Sequence, residues 1–456
     1  MKEETFIRNV AKRLNKQQCD LFVGSGISME SNFKSWKDLL EPVLVDIGIK
    51  IRKDDDFPLL AQYIANENVG NLNNLRRMLT DAYSDSNSPN EYHEILARYP
   101  VSTIWTTNYD RLLEMAFGHK KPKVIVDDRE LMQYETLNRL QIIKLHGSID
   151  SRPDLLVLTQ SDYDDVLFKK RAIFEALRNA LSKRSILFLG YGYRDPNIRT
   201  IMIESQQLLK NNTLDHYMIL KAPDTSVKKP AEEEELENRF SHWLRELNRI
   251  GINTLTVDSW DNYKRVLRKI NLVSKSKRIF ATGSHTNPDL SFPFKLGEAL
   301  SQKNYKLVYG QSEGIGYSVY QGFVQNVIKE KKELNESVHI FANPYSASTE
   351  YDDSNEYLPL LRRERQKLIE TVGAVLLFAG GKGTRTELEV ALENDCIILP
   401  CIADAEDTSN PVIKQCLNMD RVINPLIKLA PKYAHNILHS QVPSVTEVLE
   451  ALQGLL

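Results

Sequence analysis

The sequence predicts an α/β protein made of two parallel-sheet domains in series. Three observations lead there. Short, continuous apolar runs such as Ile186-Leu187-Phe188-Leu189 recur along the chain and suit strands buried on both faces. Amphipathic, helix-like stretches separate them, and most of the runs end in glycine or a small polar residue. A polar, basic stretch, Ser274-Lys275-Ser276-Lys277-Arg278, divides the runs into two series. The 456 residues are length for two or three domains of roughly 100–200 residues each.

In the first series, strands are expected at Asp20–Val23, Ser102–Thr106, Gln141–Leu145, Ser185–Leu189, Tyr217–Lys221 and Ile252–Val257. The clearest helix opens at Pro230, carries Glu232–Glu235 in its first turns, and ends with Arg245, Arg249 and Gly251. Proline and acids at the start, with bases and then glycine at the end, are helix punctuation. Residues from about Ser28 to Ser88 are rich in Asn, Asp, Leu and Tyr without a strand signal, and predict a helical insertion. The second series has strands at Ile279–Thr282, Lys306–Tyr309, Val338–Ala342, Ala374–Phe378 and Ile397–Leu399. The domains are therefore expected at 1–273 and 274–456.

Composition excludes several classes. Basic residues number 59 and acidic ones 61, a formal net charge of −2, so no global basic excess favours nucleic acid. No apolar run approaches the roughly 18 residues of a spanning helix, and the acidic N-terminus lacks a signal-peptide core. Four scattered cysteines (Cys19, Cys396, Cys401, Cys416) form no CxxC pair, so neither thiolate zinc nor a disulfide framework is expected. These counts predict a cytoplasmic protein with no membrane or nucleic-acid partner and no bound metal.

The unusual residues cluster after the strands. Val23 runs into Gly24-Ser25-Gly26-Ile27-Ser28, and Trp105 into Thr106-Thr107-Asn108-Tyr109-Asp110. Leu145 runs into His146-Gly147-Ser148, and Leu189 into Gly190-Tyr191-Gly192-Tyr193-Arg194-Asp195-Pro196-Asn197. In an open parallel sheet these ends share one edge, where ligands bind. Glycines allow close approach to a phosphate, an Asn amide donates and accepts at once, and His titrates near neutrality as a general base.

In that order, the first three motifs resemble the signatures of the sirtuin (SIR2) fold, GAGIS, QNxD and HG, and the fourth resembles a loop of bacterial SIR2-like domains. The resemblance covers about residues 1–270. It implies a Rossmann-like domain in which Asn108 and His146 form the catalytic pair at the nicotinamide ribose. Gly24, Ser25, Gly26 and Ile27, with Asp110 and Gly190, would hold NAD+. Thr107 stands where glutamine is usual, and the paired cysteines of sirtuin deacetylases are absent. Loss of that zinc module argues against an acyl-lysine cleft and leaves NAD+ binding, hence NAD+ hydrolysis with water as acceptor.

The second series has its own edge. Gly283-Ser284-His285 follows its first strand, Gly310-Gln311-Ser312-Glu313-Gly314 its second, and Gly380-Gly381-Lys382-Gly383-Thr384-Arg385-Thr386-Glu387 its fourth. The last fits GGxGTxxE, with amides at a helix N-terminus ready for phosphate. About residues 275–456 resemble the SLOG superfamily of Rossmann-like nucleotide-binding domains. Ala379 replaces the proline of its enzymatic branch, and Leu361-Arg362-Arg363-Glu364-Arg365 departs from that branch's arginine motif, which favours sensing over catalysis here. A SIR2-like core followed by SLOG resembles the NAD+-depleting effectors of Thoeris anti-phage defence. There a TIR-domain partner makes a cyclic ADP-ribose isomer that binds SLOG and activates the hydrolase. The implied signal-binding residues are Gly283, Ser284, His285, Arg365, Gly381, Lys382, Gly383, Thr384 and Glu387, with Arg362 and Arg363 competing for the arginine position. A homo-oligomer, tetramer or filament, is expected, with no cofactor beyond NAD+ as substrate. The rival expectations are a LOG-like nucleotide N-glycosidase and a non-catalytic sensor of NAD+ or ADP-ribose.

Overall fold

A computed structural model describes residues 1–31, 36–52, 55–67, 73–84, 87–132, 139–209, 214–224, 230–283, 289–343 and 358–456. Two compact units, Met1–Leu267 and Arg268–Leu456, divide the chain. Both are parallel-sheet α/β units, with sheets of seven and five strands. Among the described residues no helix is long and apolar enough to cross a membrane.

The first unit contains β1 (Cys19–Val23), β2 (Thr103–Thr106), β3 (Lys123–Ile125), β4 (Gln141–Lys144), β5 (Ser185–Leu189), β6 (His216–Lys221) and β7 (Ile252–Val257). They lie in the order β3-β4-β2-β1-β5-β6-β7, and all pairs run parallel. β1 and β5 are buried at every residue, as their apolar runs require. From β1 the chain winds first towards β2 and β4, then returns to β5 on the other side, which places a topological switch between the ends of β1 and β5. The edge strand β3 lies outside the expectation: three residues with one of them buried carry too little pattern to be read.

Between Ser28 and Ser88 the described residues hold helices at Trp36–Asp46, Phe57–Glu67 and Asn73–Ser84 and no strand. Leu39, Leu40, Leu44, Leu60, Ile64, Leu75 and Leu79 form a satellite core with Tyr109, Leu156 and Leu158. The insertion thus packs onto the loop that follows β2, beside the carboxyl edge of the sheet.

The second unit contains β8 (Arg278–Thr282), β9 (Lys306–Tyr309), β10 (Val338–Ile340), β11 (Ala374–Leu377) and β12 (Ile397–Pro400), ordered β10-β9-β8-β11-β12. Its switch lies between β8 and β11. Helix Ser291–Gln302 packs on helix Ile315–Lys329 so tightly that a Cβ at Gly322 would stand 2.0 Å from the Phe294 carbonyl oxygen.

One buried histidine ties the first sheet to pH. His216, 5% exposed at the start of β6, accepts a hydrogen bond from the Ile186 N–H at Nδ1, 3.1 Å away. Burial pushes its pKa down to about 4. Unfolded, the ring takes its proton near 6.5; folded, only near 4. Between those values the unfolded state holds more protons, so stability falls as pH drops from 6.5 to 4. The full effect is on the order of 3 kcal/mol. Thermal midpoints measured across this window should fall less steeply in His216→Gln, which keeps an acceptor but has no proton to gain; equal slopes refute the assignment.

Candidate functional site

The four motif-bearing strands are the four central neighbours β4, β2, β1 and β5, so their loops share one stretch of edge. The β1 and β5 loops touch backbone to backbone. Gly24 N–H donates to the Leu189 carbonyl and Gly26 N–H to the Gly190 carbonyl, both at 2.9 Å. A Cβ at Gly24 or Gly26 would stand 2.6 or 2.8 Å from the Gly190 oxygen. Gly190 has φ +58°, and its own Cβ would meet the Ile27 nitrogen at 2.5 Å. The glycines that suggest a phosphate cradle are therefore required, first, by the seam between two loops. Ser25–Ile27 then forms a single 3-10 turn.

That turn delivers Ser28 to the β2 loop. Ser28 Oγ donates to Asp110 Oδ2 at 3.0 Å, and Asn108 Nδ2 donates to Ser28 Oγ at 3.2 Å. Asn108 N–H is held by Thr106 Oγ1 at 3.0 Å, and Asp110 Oδ1 accepts from the Leu112 N–H at 3.0 Å. Asn108 is 6% exposed, and its Oδ1 has no hydrogen-bond partner among the described residues. Thr106 pairs with Lys144 in the β2–β4 register, so Asn108 and His146, two residues beyond each, leave neighbouring strands side by side. Lys144, 1% exposed, fastens the two loops: its Nζ donates to the Tyr109 carbonyl at 3.3 Å and to the Asp110 carbonyl, and pairs with Glu114 at 2.6 Å.

Several contributors escape a reading of single motifs. Asn90 Nδ2 donates to the Ile27 carbonyl at 2.8 Å and contacts Ser31 Oγ at 3.0 Å, pinning the glycine turn from 63 residues away. His93, fully buried, lies 2.9 Å from Asn90 Oδ1 through Nδ1, and burial lowers its pKa to about 4 against the opposing pull of Asp110. Asp195, within the fourth motif, places Oδ2 2.9 Å from His146 Nε2, with side-chain exposures of 6% and 3%. The carboxylate stands off the N–H axis, so neither atom has a well-directed hydrogen bond. Burial alone would raise the Asp195 pKa; His146 and the N–H groups of Ile198 and Asn197 outweigh it and hold it below the usual value. Tyr163 OH lies 3.5 Å from His146 Nδ1, its ring edge-on at 5.0 Å.

At the second sheet, Arg365 is the arginine that turns inward. It is 5% exposed, with Nε 3.2 Å from Glu387 Oε1 and NH2 donating to Asn343 Oδ1 at 3.0 Å. Glu387 also accepts from Thr282 Oγ1 at the end of β8, and burial raises its pKa against the pull of Arg365. Arg362 instead pairs with Glu389 and Glu393 on a half-exposed face, and Arg363 with Glu364 at 3.8 Å. Gly381 caps helix Lys382–Glu393 without a side-chain cap, and a Cβ at Gly381 or Gly383 would meet nothing within 4 Å, so close packing does not require glycine at either position. Thr384 packs under this turn, its Oγ1 2.2 Å from where a Gly380 Cβ would stand. Gly283 follows β8 close to Phe378, whose Cβ would be 2.7 Å from a Cβ there. Ser284 and His285 lie outside the described residues.

Two family models match separate parts of the chain. Residues 102–244 match a SIR2-like domain and residues 262–420 the Sir2- and TIR-associating SLOG family. The chain is 26% identical over 423 residues to the NAD(+) hydrolase ThsA of Bacillus cereus (strain MSX-D12), covering 87% of this chain and 86% of that protein. To the NAD(+) hydrolase ThsA of Enterococcus faecium it is 28% identical over 428 residues, covering 88% and 87%. Defense-associated sirtuin 2 of Bacillus subtilis is 24% identical over 214 residues, 45% of this chain and 21% of that one.

The seam between loops is testable by itself. Gly190→Ala adds a Cβ in the left-handed region, at a cost of about 1–2 kcal/mol, and drives it into the Ile27 backbone. Its thermal midpoint should fall by several degrees. Gly118→Ala, whose Cβ meets nothing within 4 Å, should leave the midpoint within a degree or so. Equal behaviour of the two variants would show that the loops do not depend on their contact.

Proposed function

We propose that this chain, a SIR2-like domain followed by a Sir2- and TIR-associating SLOG domain, hydrolyses NAD+ to ADP-ribose and nicotinamide. The observation that carries the reading is the convergence of Ser28, Asn108, Asp110 and His146 on one edge formed by neighbouring strands. The ThsA relatives, which match this chain over most of its length, are NAD(+) hydrolases by name.

The chemistry follows from the side chains. Breaking the nicotinamide–ribose bond builds positive charge on the ribose and needs an oriented acceptor, not a strong nucleophile. Asn108 Oδ1, buried and without a partner among the described residues, supports a role as acceptor for a ribose hydroxyl or the attacking water. Asp110, tied to Ser28, supplies negative charge beside the developing cation. His146 takes the proton from a ribose hydroxyl or water as the new C–O bond forms, while nicotinamide leaves with the bonding electrons. The Gly24–Ile27 turn and Gly190 lie at the switch point between β1 and β5 and hold the pyrophosphate end.

The second sheet holds the control site. Arg365, Lys382 and the amides of Gly381, Gly383 and Thr384 supply cationic and N–H donors for a cyclic ADP-ribose-type nucleotide, with Glu387 fixing the arginine; Gly283, Ser284 and His285 belong to the same proposed set of signal contacts. The association named for the matched SLOG family supports a TIR-domain partner as the source of that signal. In this reading the protein acts in the cytoplasm as a homo-oligomer, tetramer or filament, and depletes NAD+ in anti-phage defence without a bound metal.

Two experiments test the reading. Full-length protein incubated with NAD+ and a panel of cyclic ADP-ribose isomers should release nicotinamide, and His146→Ala or Asn108→Ala should reduce release by at least about a hundredfold. Wild-type turnover in either variant removes that residue from the mechanism, and release unaffected by EDTA is expected throughout. In titrations with the signal, Lys382→Ala should need roughly ten to a hundred times more nucleotide, since a charge-assisted hydrogen bond contributes about 1.5–3 kcal/mol. An unchanged response to the signal places the sensor elsewhere.

A further inference from the structure

His146 has two ring nitrogens, and a general base needs one of them bare. Nε2 faces the Asp195 carboxylate at 2.9 Å, while Nδ1, among the described residues, faces the Tyr163 hydroxyl at the long distance of 3.5 Å. The titratable groups brought against the ring are thus Asp195 on one side and Tyr163 on the other. Burial and then the Asp195 charge push the Tyr163 hydroxyl well above its ordinary value, so it stays protonated. A protonated phenol donates to a lone pair, and an ionised carboxylate accepts from an N–H. Both neighbours select the same tautomer.

Asp195 is itself fixed by the backbone. Its Oδ1 accepts from the N–H groups of Asn197 and Ile198 at 2.9 and 3.3 Å, which caps the helix Pro196–Leu209 and leaves Oδ2 turned to His146. Asn197 Nδ2 donates to the Tyr163 carbonyl at 2.9 Å, so the same turn anchors the tyrosine. The loop carrying Asp195 begins at Gly190, locked against the β1 loop.

We propose that Asp195 is the positioning residue for His146: its carboxylate holds the proton on Nε2, so that Nδ1 carries the lone pair used in the reaction. This rests on the hydrolase reading. A substrate hydroxyl or water displaces the Tyr163 hydroxyl from Nδ1. As the water oxygen bonds to the ribose carbon and nicotinamide departs with the bonding pair, the water's proton passes to Nδ1. Asp195 stabilises the resulting imidazolium and does not itself take the proton. The off-axis Nε2–Oδ2 contact of the free protein tightens when substrate arrives, as catalytic hydrogen bonds commonly do.

Asp195→Asn separates this role from helix capping. Asparagine caps helices about as well as aspartate, provided that its oxygen occupies the Oδ1 position. Its NH2 then takes the place of Oδ2 and donates to Nε2, which forces the ring proton onto Nδ1. The helix and the fold survive while the base is lost. With 15N-labelled histidine, wild-type His146 should show the Nε2–H tautomer and Asp195→Asn the Nδ1–H tautomer, at an unchanged thermal midpoint. In signal-activated assays kcat should fall roughly a hundred- to ten-thousandfold while KM for NAD+ stays within about threefold. An Nε2–H ring in the variant, or wild-type kcat, overturns the proposal. If wild-type protein releases no nicotinamide under any signal but the tautomer switches, the hydrolase reading fails and the positioning role stands.

Discussion

The candidate site depends on one contact that only glycine permits. The β1 and β5 loops meet at Gly24, Gly26 and Gly190 at distances that leave no room for a Cβ on either side. Through that seam the turn after β1 sets Ser28 against Asn108 and Asp110, and the loop after β5 carries Asp195 to His146. The two loops of the candidate site are thereby held in register by main-chain contact. Backbone contacts of this kind lose little entropy when substrate binds, which is what preorganisation requires.

The seam is supported from both flanks. Lys144 gives up solvent to bind two carbonyls of the β2 loop and Glu114, a costly burial that is offset by several charge-assisted bonds. Asn90 secures the glycine turn from a helix outside the sheet. The second sheet repeats the principle with different chemistry: Arg365 is buried against Glu387, and Glu387 is tied to the end of β8 through Thr282. Arg365 is thereby held in one orientation, whereas Arg362 and Arg363 pair on the half-exposed face of the same helix.

The sheets were legible because fully buried parallel strands leave uninterrupted apolar runs. Ser185–Leu189, Ile252–Val257 and Lys306–Tyr309 have the expected bounds, and the other expected strands differ by one or two residues at their ends. β3 was not legible, since Lys123–Ile125 is too short for any periodicity. Among site residues, Asn108 and His146 stood out because polar groups directly after strand ends share one edge. Asp195 lies in the fourth motif with no pattern of its own to mark it, and only its distance to His146 gives it a role. Ser28 belongs to the glycine motif without a role of its own there, and Asn90 carries no motif signal, because serine and asparagine are common in turns and their partners lie 63 to 82 residues away. Choosing Arg365 from three neighbouring arginines required knowing which face of the helix is inward, a matter of tertiary packing that a cluster of bases does not encode.

The central claim is that this edge transfers the ribosyl group of NAD+ to water. The most direct test is to run the signal-activated reaction in H218O and weigh the products. One 18O atom in ADP-ribose, with an equivalent of free nicotinamide, is the predicted result. Nicotinamide released alongside an unlabelled cyclic product, or NAD+ recovered intact under every signal, would contradict it.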